Sequence, residues 1–270
     1  MNITTEFWRD PAMPYVESRR ACNSRACYRP HSHPTFSIGA VDDGSSVFTG
    51  APGGPVALHP GSLVLVPPAC VHACNPTRER TWSYQMLHLD AEWLLAIRQE
   101  GAEALDHPKE TPIRITREPS LYARFCRLNG LLFSDATVHD KEATLIEFVG
   151  DCDNAAGQRI AAPTDAAAHR QRLHPLLEML RNEPSCIASV GELAQMVGMS
   201  RYQMIRAFRA ATGLTPHAWQ LNQRINHARE QLQAGDDLAD IAYRLGFADQ
   251  SHFQRIFKAH AGVTPGRYRS

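Results

Sequence analysis

The chain has 270 residues with 28 basic and 28 acidic side chains, so its formal net charge at pH 7 is zero. This length suggests two domains, and 43% hydrophobic with 21% charged residues is ordinary for a soluble globular protein. No run approaches the roughly 18 consecutive apolar residues of a membrane span. Residues 1–10 lack the basic and apolar regions of a signal peptide. The sequence therefore predicts a cytoplasmic protein with no membrane partner.

The cysteine content does not indicate a disulfide framework. An odd number of cysteines in a mid-sized chain without a signal peptide favours reduced thiols. The seven cysteines are Cys22, Cys27, Cys70, Cys74, Cys126, Cys152 and Cys186.

The zero net charge hides an uneven distribution along the chain. From His169 to Ser270 there are 13 basic and 8 acidic side chains, a net charge of +5, so the remaining residues carry −5. This asymmetry fits a basic module that contacts phosphates, joined to a more acidic one.

Between about Ser24 and His88 the sequence predicts β-structure. Short apolar, β-branched and aromatic runs alternate with turn sequences. The predicted turns are Asp42-Asp43-Gly44, Ala51-Pro52-Gly53-Gly54-Pro55, His59-Pro60-Gly61 and Pro67-Pro68. Many short strands at this spacing predict a small barrel or sandwich. The predicted strands are Phe36–Val41, Ser46–Thr49, Val56–Leu58, Leu63–Val66 and Tyr84–Leu89.

After Asp90 the apolar residues repeat at helical spacing. The clearest helix is Pro119–Phe133, which has one apolar stripe. This stripe could pack against the β region or form a homodimer interface, and a homodimer would raise avidity for paired binding sites. The helical apolar sets are Trp93, Leu94 and Ile97; then Leu121, Phe125, Leu128 and Leu132; then Leu145, Ile146 and Val149.

Residues 150–168 are rich in Ala, Gly, Asp and Pro and have no periodic apolar face. Such composition is typical of a linker between domains. We therefore predict an N-terminal domain at 1–155, a linker at 156–168 and a C-terminal domain at 169–270.

The C-terminal domain contains an internal repeat, in which Arg206–Pro216 aligns with Arg255–Pro265. Each copy has a short helix, a glycine that can stop it, a capping residue and a second helix closed by glycine and Thr-Pro. This plan predicts two helix-turn-helix motifs. The first helices are Val190–Val197 and Leu238–Leu245, the stops are Gly198 and Gly246, and the caps are Ser200 and Asp249.

The second helix of each motif has one polar, basic face. Arg and Gln are the side chains that read guanine and adenine edges in the major groove, so these faces predict contact with double-stranded promoter DNA. A helix between them, Pro216–Gln233, would set their separation at about 34 Å, one turn of B-DNA. The predicted DNA-binding residues are Arg201, Tyr202, Gln203 and Arg206 in the first motif, and Gln250, Ser251, Gln254 and Arg255 in the second.

The segment from Gly246 to Arg269 resembles the C-terminal signature of the AraC/XylS family of transcription regulators. The resemblance extends over residues 170–269. It implies about seven helices and base contacts by Tyr202, Gln203 and Arg206, and by Gln250, Ser251 and Arg255. Ile205 stands where the family commonly has a polar residue. The family also implies contact with RNA polymerase.

The N-terminal β region resembles a cupin. His31, His33, Ser37 and Gly44 follow the spacing of the first cupin motif, with Ser37 in place of its glutamate. A second motif runs from Gly61 to His72. The resemblance implies an effector-binding barrel, so the chain is predicted to be α+β: a cupin-like β-barrel with appended helices, then an all-α domain.

His31, His33 and His72 are therefore candidate contacts for a small-molecule effector. Three neutral imidazoles also suit a divalent metal ion such as zinc, iron, nickel or copper, and Cys70 and Cys74 could add thiolates. The histidines could equally fill a polar barrel mouth. The cysteine pairs, with Cys22 and Cys27, could also form a metal or thiol sensor.

Two functions follow from these observations. The first is a non-enzymatic regulator whose effector, bound in the cupin-like domain, changes DNA binding; the sequence does not distinguish activator from repressor. The second is a cupin enzyme fused to a DNA-binding module, which a complete metal site would favour and Ser37 disfavours.

Overall fold

The computed structural model describes residues 3–50, 54–77, 80–101, 112–160, 166–183, 185 and 188–269. Part of the predicted turn at 51–55, and Cys186, lie outside these ranges. The chain forms two compact units. The first comprises Met1–Arg25, His33–Cys70 and Cys74–Ala161, and the second comprises Ala26–Ser32, Val71–Ala73 and Ala162–Ser270.

Strands dominate the described part of the first unit and form two sheets. The larger sheet has the order β1-β2-β8-β3-β6-β9-β10 and the smaller has the order β5-β4-β7. The α+β class is confirmed, although these strands make two separate sheets rather than one closed barrel. The strands are β1 (Thr4–Trp8), β2 (Val16–Ser24), β3 (Phe36–Gly44), β4 (Ser46–Thr49), β5 (Val56–Leu58), β6 (Leu63–Val66), β7 (Ala73–Pro76), β8 (Trp82–Leu89), β9 (Ile113–Thr116) and β10 (Gln158–Ile160).

Some strands agree with the sequence prediction and others were missed. Strands β4, β5 and β6 have the predicted bounds, whereas β1, β2, β7, β9 and β10 were not predicted. Strand β2 contains Glu17, Arg19 and Arg20, so it lacks an apolar pattern and is held by antiparallel pairing with β1 and β8. The predicted turn at Asp42-Asp43-Gly44 is the end of β3, which passes a register shift between Val41 and Asp43.

Helices α1 (Ala91–Gly101), α2 (Pro119–Leu132) and α3 (Val138–Asn154) complete the first unit. The apolar stripe of α2 is buried, with Phe125, Leu128 and Leu132 each 0% exposed. It packs in one core with Phe148 of α3 and with strand residues such as Leu87. The stripe therefore stabilises the protomer's own core and is not an exposed dimer surface.

The predicted linker at 156–168 contains regular structure at both ends. Gln158–Ile160 forms β10, which pairs antiparallel with β9. Helix α4 begins at Ala166, three residues before the predicted start of the C-terminal domain. Strand β10 has no apolar run that could mark it in the sequence, and its pairing with β9 defines it.

The second unit is helical, as predicted. Its helices are α4 (Ala166–Asn182), α5 (Val190–Met196), α6 (Arg201–Thr212), α7 (Pro216–Gln233), α8 (Leu238–Arg244), α9 (Gln250–Ala261) and α10 (Pro265–Arg269). Around the first motif, Leu193, Met204 and Phe208 are buried in one core with Trp219. In the second motif, the rings of Phe253 and Phe257 lie 5.7 Å apart. None of the described helices is both long and apolar enough to span a bilayer.

Candidate DNA-binding surface and effector site

Capping interactions fix where the predicted recognition helices α6 and α9 begin. The Ser200 side chain accepts a hydrogen bond from the Gln203 amide, and the Gln203 side chain accepts one from the Ser200 amide at 3.0 Å. The Asp249 carboxylate accepts a bond from the His252 amide at 2.6 Å. Both caps satisfy backbone N–H groups that the first helical turn leaves unpaired. The capping residues predicted from the sequence therefore define both starts.

Glycine ends both recognition helices. Gly213 and Gly262 have φ angles of 78° and 75°, in the left-handed region that other residues rarely adopt. Each amide donates to the carbonyl four residues earlier, of Arg209 and of Lys258. The two helices consequently have the same length, 12 residues.

The predicted contact face of α6 is exposed while its opposite face is buried. Tyr202 is 68% exposed, and Met204 and Phe208 are 0% exposed. The Arg206 guanidinium carbon lies 5.6 Å from the centre of the Tyr202 ring, and an Arg206 nitrogen donates to the Tyr202 hydroxyl at 3.4 Å. This cation–π contact orients the arginine before any DNA is bound.

Gln203 is engaged differently from its neighbours on this face. Its side-chain oxygen accepts from the Ser200 amide, and its NH₂ group is available to a base. Bidentate contact with adenine uses both ends of the amide. Bidentate readout of adenine by Gln203 would therefore compete with its capping bond.

The corresponding face of α9 is also exposed, but it carries more amide than charge. Gln250, Ser251 and Arg255 are exposed, and Gln254 is half-buried. The buried side is aromatic, with Phe253 and Phe257 each 0% exposed. Each recognition helix therefore presents polar side chains on one side and is anchored by apolar residues on the other.

The histidine pair of the second unit is joined through the backbone. His31 and His72 form an antiparallel bridge in which each amide donates to the other's carbonyl, at 3.0 and 2.9 Å. Their rings lie 4.9 Å apart and both residues are buried. Burial, followed by the charges of His72 and Arg229, lowers the pKa of His31 well below its usual value. The His31 imidazole is therefore neutral at pH 7.

In the first unit, His33 has a partner that sequence reasoning missed. The rings of His33 and His88 lie 5.0 Å apart, and His88 Nδ1 lies 2.9 Å from the Ser37 hydroxyl. Ser37 and His88 face each other across the β3–β8 pairing. A histidine thus adjoins the position of the missing cupin glutamate. Only strand register reveals this, because His88 belongs to neither cupin motif.

The structure places two of the three predicted histidines, His31 and His72, side by side in the second unit, and the third, His33, beside His88 in the first. Their imidazoles suit a divalent metal or a polar effector group. Burial raises the pKa of the Cys74 thiol to about 12, so this thiol is protonated at pH 7.

Each half of the chain matches a known protein family. The family of AraC-like ligand binding domains matches residues 14–147, and the helix-turn-helix domain family matches residues 193–270. Over 259 residues the chain is 23% identical to the uncharacterized HTH-type transcriptional regulator YbfI of Bacillus subtilis strain 168, covering 93% of this chain and 90% of YbfI.

Two further proteins are similar to different shares of the chain. The HTH-type transcriptional activator RhaS of Yersinia pestis strain Pestoides F is 35% identical over 100 residues, which is 37% of each chain. A crystal structure of wild-type ToxT from Vibrio cholerae strain SCE256, with a bound unsaturated fatty acid, has a TM-score of 0.58 at 13% identity. It covers 99% of this chain and 94% of ToxT, and so shows a shared fold.

The two units and these matches define a helix-turn-helix transcription regulator with an N-terminal ligand-binding domain. Within that class, the chain belongs to the AraC family.

Proposed function

We propose that the chain recognises promoter DNA through the exposed faces of α6 and α9. The observation that carries this proposal is the duplicated design: two capped helices of equal length, each anchored by buried aromatic residues and presenting basic and amide groups. Such helices can enter successive major grooves when about 34 Å apart. The residues proposed to contact DNA are Arg201, Tyr202, Gln203, Arg206, Gln250, Ser251, Gln254 and Arg255.

Selection of duplexes from a random pool by the full chain tests this proposal. We expect two sequence elements separated by about one helical turn, as two tandem readers require. The control is a variant at Arg170 and Arg172, two basic residues on α4 outside both recognition helices. Replacing both with glutamine should leave the selected sequence unchanged. Selection of no sequence, or of a single element, would refute the proposal.

We further propose that a small-molecule effector contacts His31, His33 and His72. A buried neutral imidazole such as His31 can accept or donate one hydrogen bond, depending on its tautomer, and so can orient a polar ligand. The fatty acid in the ToxT structure is a ligand of that protein. For this chain, thermal-shift screening of organic acids and other small metabolites would identify the effector.

A divalent metal at the same three histidines is the alternative, and it would fit an enzyme rather than a regulator. The 4.9 Å separation of the His31 and His72 rings favours it, whereas Ser37 supplies no carboxylate where cupin enzymes have one. Metal analysis of protein purified without a nickel column decides between them. One equivalent of bound metal would support the alternative. Protein without bound metal would support the organic effector.

A homodimer, contact with RNA polymerase and a cytoplasmic location are further proposals that follow from action at a promoter. Because the stripe of α2 is buried within the protomer, a dimer would need another surface. Sedimentation at several protein concentrations would measure the association.

A further inference from the structure

The Arg201 side chain is oriented by the helix that precedes its own. Arg201 is the first residue of α6. A Cβ at Gly191, in the first turn of α5, would lie 3.4 Å from each of two guanidinium nitrogens of Arg201 and 3.7 Å from the Ser189 hydroxyl. The guanidinium therefore lies over the first turn of α5, at a position that carries no side chain.

The charge of Arg201 is available to a ligand from outside the protein. The residue is exposed, and it belongs to none of the ion pairs that the described residues form. The acidic residue of α5, Glu192, is engaged in the capping box, where its carboxylate accepts from the Ser189 amide at 2.7 Å. An exposed guanidinium without a carboxylate partner can bind an anion.

Arg206, on the same helix, is oriented by a different contact. Its guanidinium lies over the Tyr202 ring, within α6 itself. In a helix-turn-helix motif the second helix enters the major groove while the first helix crosses the DNA backbone. A guanidinium held along α6 is therefore directed at the bases, whereas one held against α5 is directed at the backbone.

The second motif has no equivalent of this arginine. Gln250 is the first residue of α9 and aligns with Arg201, and Ala239 in α8 aligns with Gly191. Total charge differs in the same sense. Residues 189–213 contain three arginines and one carboxylate, a net charge of +2, whereas residues 237–262 contain three basic and three acidic side chains, a net charge of zero.

We propose that Arg201 binds a phosphate of the DNA backbone and not a base, and that it anchors the first motif by a contact that the second motif lacks. This inference rests on the proposed function and names the DNA group that one of its contact residues binds. Phosphate contacts fix the register and orientation of a protein on the duplex but carry no sequence information. The two motifs would then contribute unequally to the salt-dependent part of the affinity.

Arg201→Gln in the full chain tests the anchor. Affinity is measured for the duplex selected by the wild type, for its single-base variants and for an unrelated duplex of equal length. The variant should bind all of them more weakly by one common factor, with its base preferences unchanged. Because one phosphate contact adds about 0.9 to the slope of log K against log salt, raising the salt from about 50 to 200 mM should weaken the variant about 3-fold less than the wild type.

Arg201→Lys is the conservative variant. Lysine binds phosphate as a point charge but does not reproduce bidentate contact with guanine. We therefore expect Arg201→Lys to keep the salt slope and the base preferences of the wild type.

Gln250→Arg transfers the anchor to the second motif. We expect tighter binding to the unrelated duplex and a salt slope steeper by about 0.9, the contribution of one added phosphate contact. Gln171→Arg adds the same charge at an exposed position of α4, outside both motifs, and should leave the slope as in the wild type.

A base preference relaxed at one position in both Arg201 variants would show direct readout and overturn the proposal. An unchanged salt slope in Arg201→Gln would exclude the phosphate contact, and Gln250→Arg without a steeper slope would refute the difference between the motifs. Melting curves identify a glutamine variant that fails to fold, and Arg201→Ala then replaces it. Failure of the proposed function has another signature, because the wild-type chain would select no duplex.

Discussion

At the residue scale, Arg206 and Tyr202 lie on adjacent turns of α6 and contact each other. An arginine held by an aromatic ring loses less side-chain freedom when it binds a base. The exposed aromatic ring of Tyr202 therefore positions Arg206 for DNA binding even if the ring itself does not contact DNA.

Arg206→Ala should weaken binding to the selected duplex by about 1–3 kcal/mol and relax the preference at one base pair, because bidentate arginine contacts discriminate guanine. Titration against single-base variants of the duplex measures this. Arg209→Ala, on the same helix, serves as a control that should weaken all sequences alike. An unchanged base preference in Arg206→Ala would exclude direct readout by this residue.

His33→Ala tests the proposed effector site at the histidine that lies in the first unit. We expect the thermal shift caused by a ligand found with the wild type to disappear, while affinity for DNA and the melting temperature without ligand are retained. His59→Ala is a suitable control, since His59 is exposed in a turn before β6. A normal ligand response in the His33 variant would place the effector elsewhere, and a large fall in melting temperature would assign His33 a structural role.

At the element scale, the helices of the second unit begin and end where local chemistry dictates. Helix α7 has its predicted bounds, Pro216–Gln233, and α5 and α8 end one residue before the predicted position. Capping side chains, Thr-Pro pairs and glycines each affect the backbone within about one helical turn of their own position. The ends of a helix can therefore be predicted directly from the sequence. Strands β1 and β2 lacked such signals.

Ser200→Ala should lower the free energy of unfolding by about 1 kcal/mol, because it removes the acceptor of the Gln203 amide. Ser200→Asp keeps an acceptor at the N-cap and should restore most of the stability. Urea denaturation of the full chain followed by circular dichroism provides the comparison. If alanine and aspartate behave alike, the cap does not stabilise α6.

At the scale of the whole molecule, the second unit buries histidines among positive charges. Burial, together with Arg229 and Arg29, lowers the pKa of His260, and its bond to the Ile256 carbonyl only partly opposes this. The pKa of His31 is lowered as well. In the unfolded chain both groups titrate near pH 6.5. The unfolded state therefore binds more protons below that pH.

The melting temperature should accordingly fall as the pH is lowered from 8 to 5.5. Stability from these histidines is fully present above about pH 6.5 and is lost progressively below it, as the pH approaches the lowered folded-state values. His260→Gln, which keeps a side-chain hydrogen-bonding group but does not titrate, should flatten the dependence. A melting temperature that stays constant or rises over this range contradicts the expected sign.

A fragment of residues 166–270 should fold by itself, since the core around Leu193, Met204, Phe208 and Trp219 is formed by its own helices. It begins at Ala166 because α4 does. We expect helical circular dichroism, cooperative melting and binding to the selected duplex without response to a ligand. An unfolded fragment would show that the N-terminal segments are required for folding.

The sequence by itself determined the fold class, the two helix-turn-helix motifs and the three candidate histidines. These features depend on local signals: helical periodicity, caps, glycine stops and motif spacing. The recognition faces were also readable, because a residue's place on an amphipathic helix follows from the 3.6-residue repeat.

Only the tertiary structure decided which partners these residues have. The burial of the α2 stripe, the contact between His88 and His33, and the docking of Ser32 on Asn222 each join residues far apart in sequence. No local pattern encodes such pairs, since they depend on strand register and on which surfaces meet when the chain folds. Asn222 in particular has the sequence context of an ordinary polar helix residue, and only the structure shows that it is buried and bonded to Ser32.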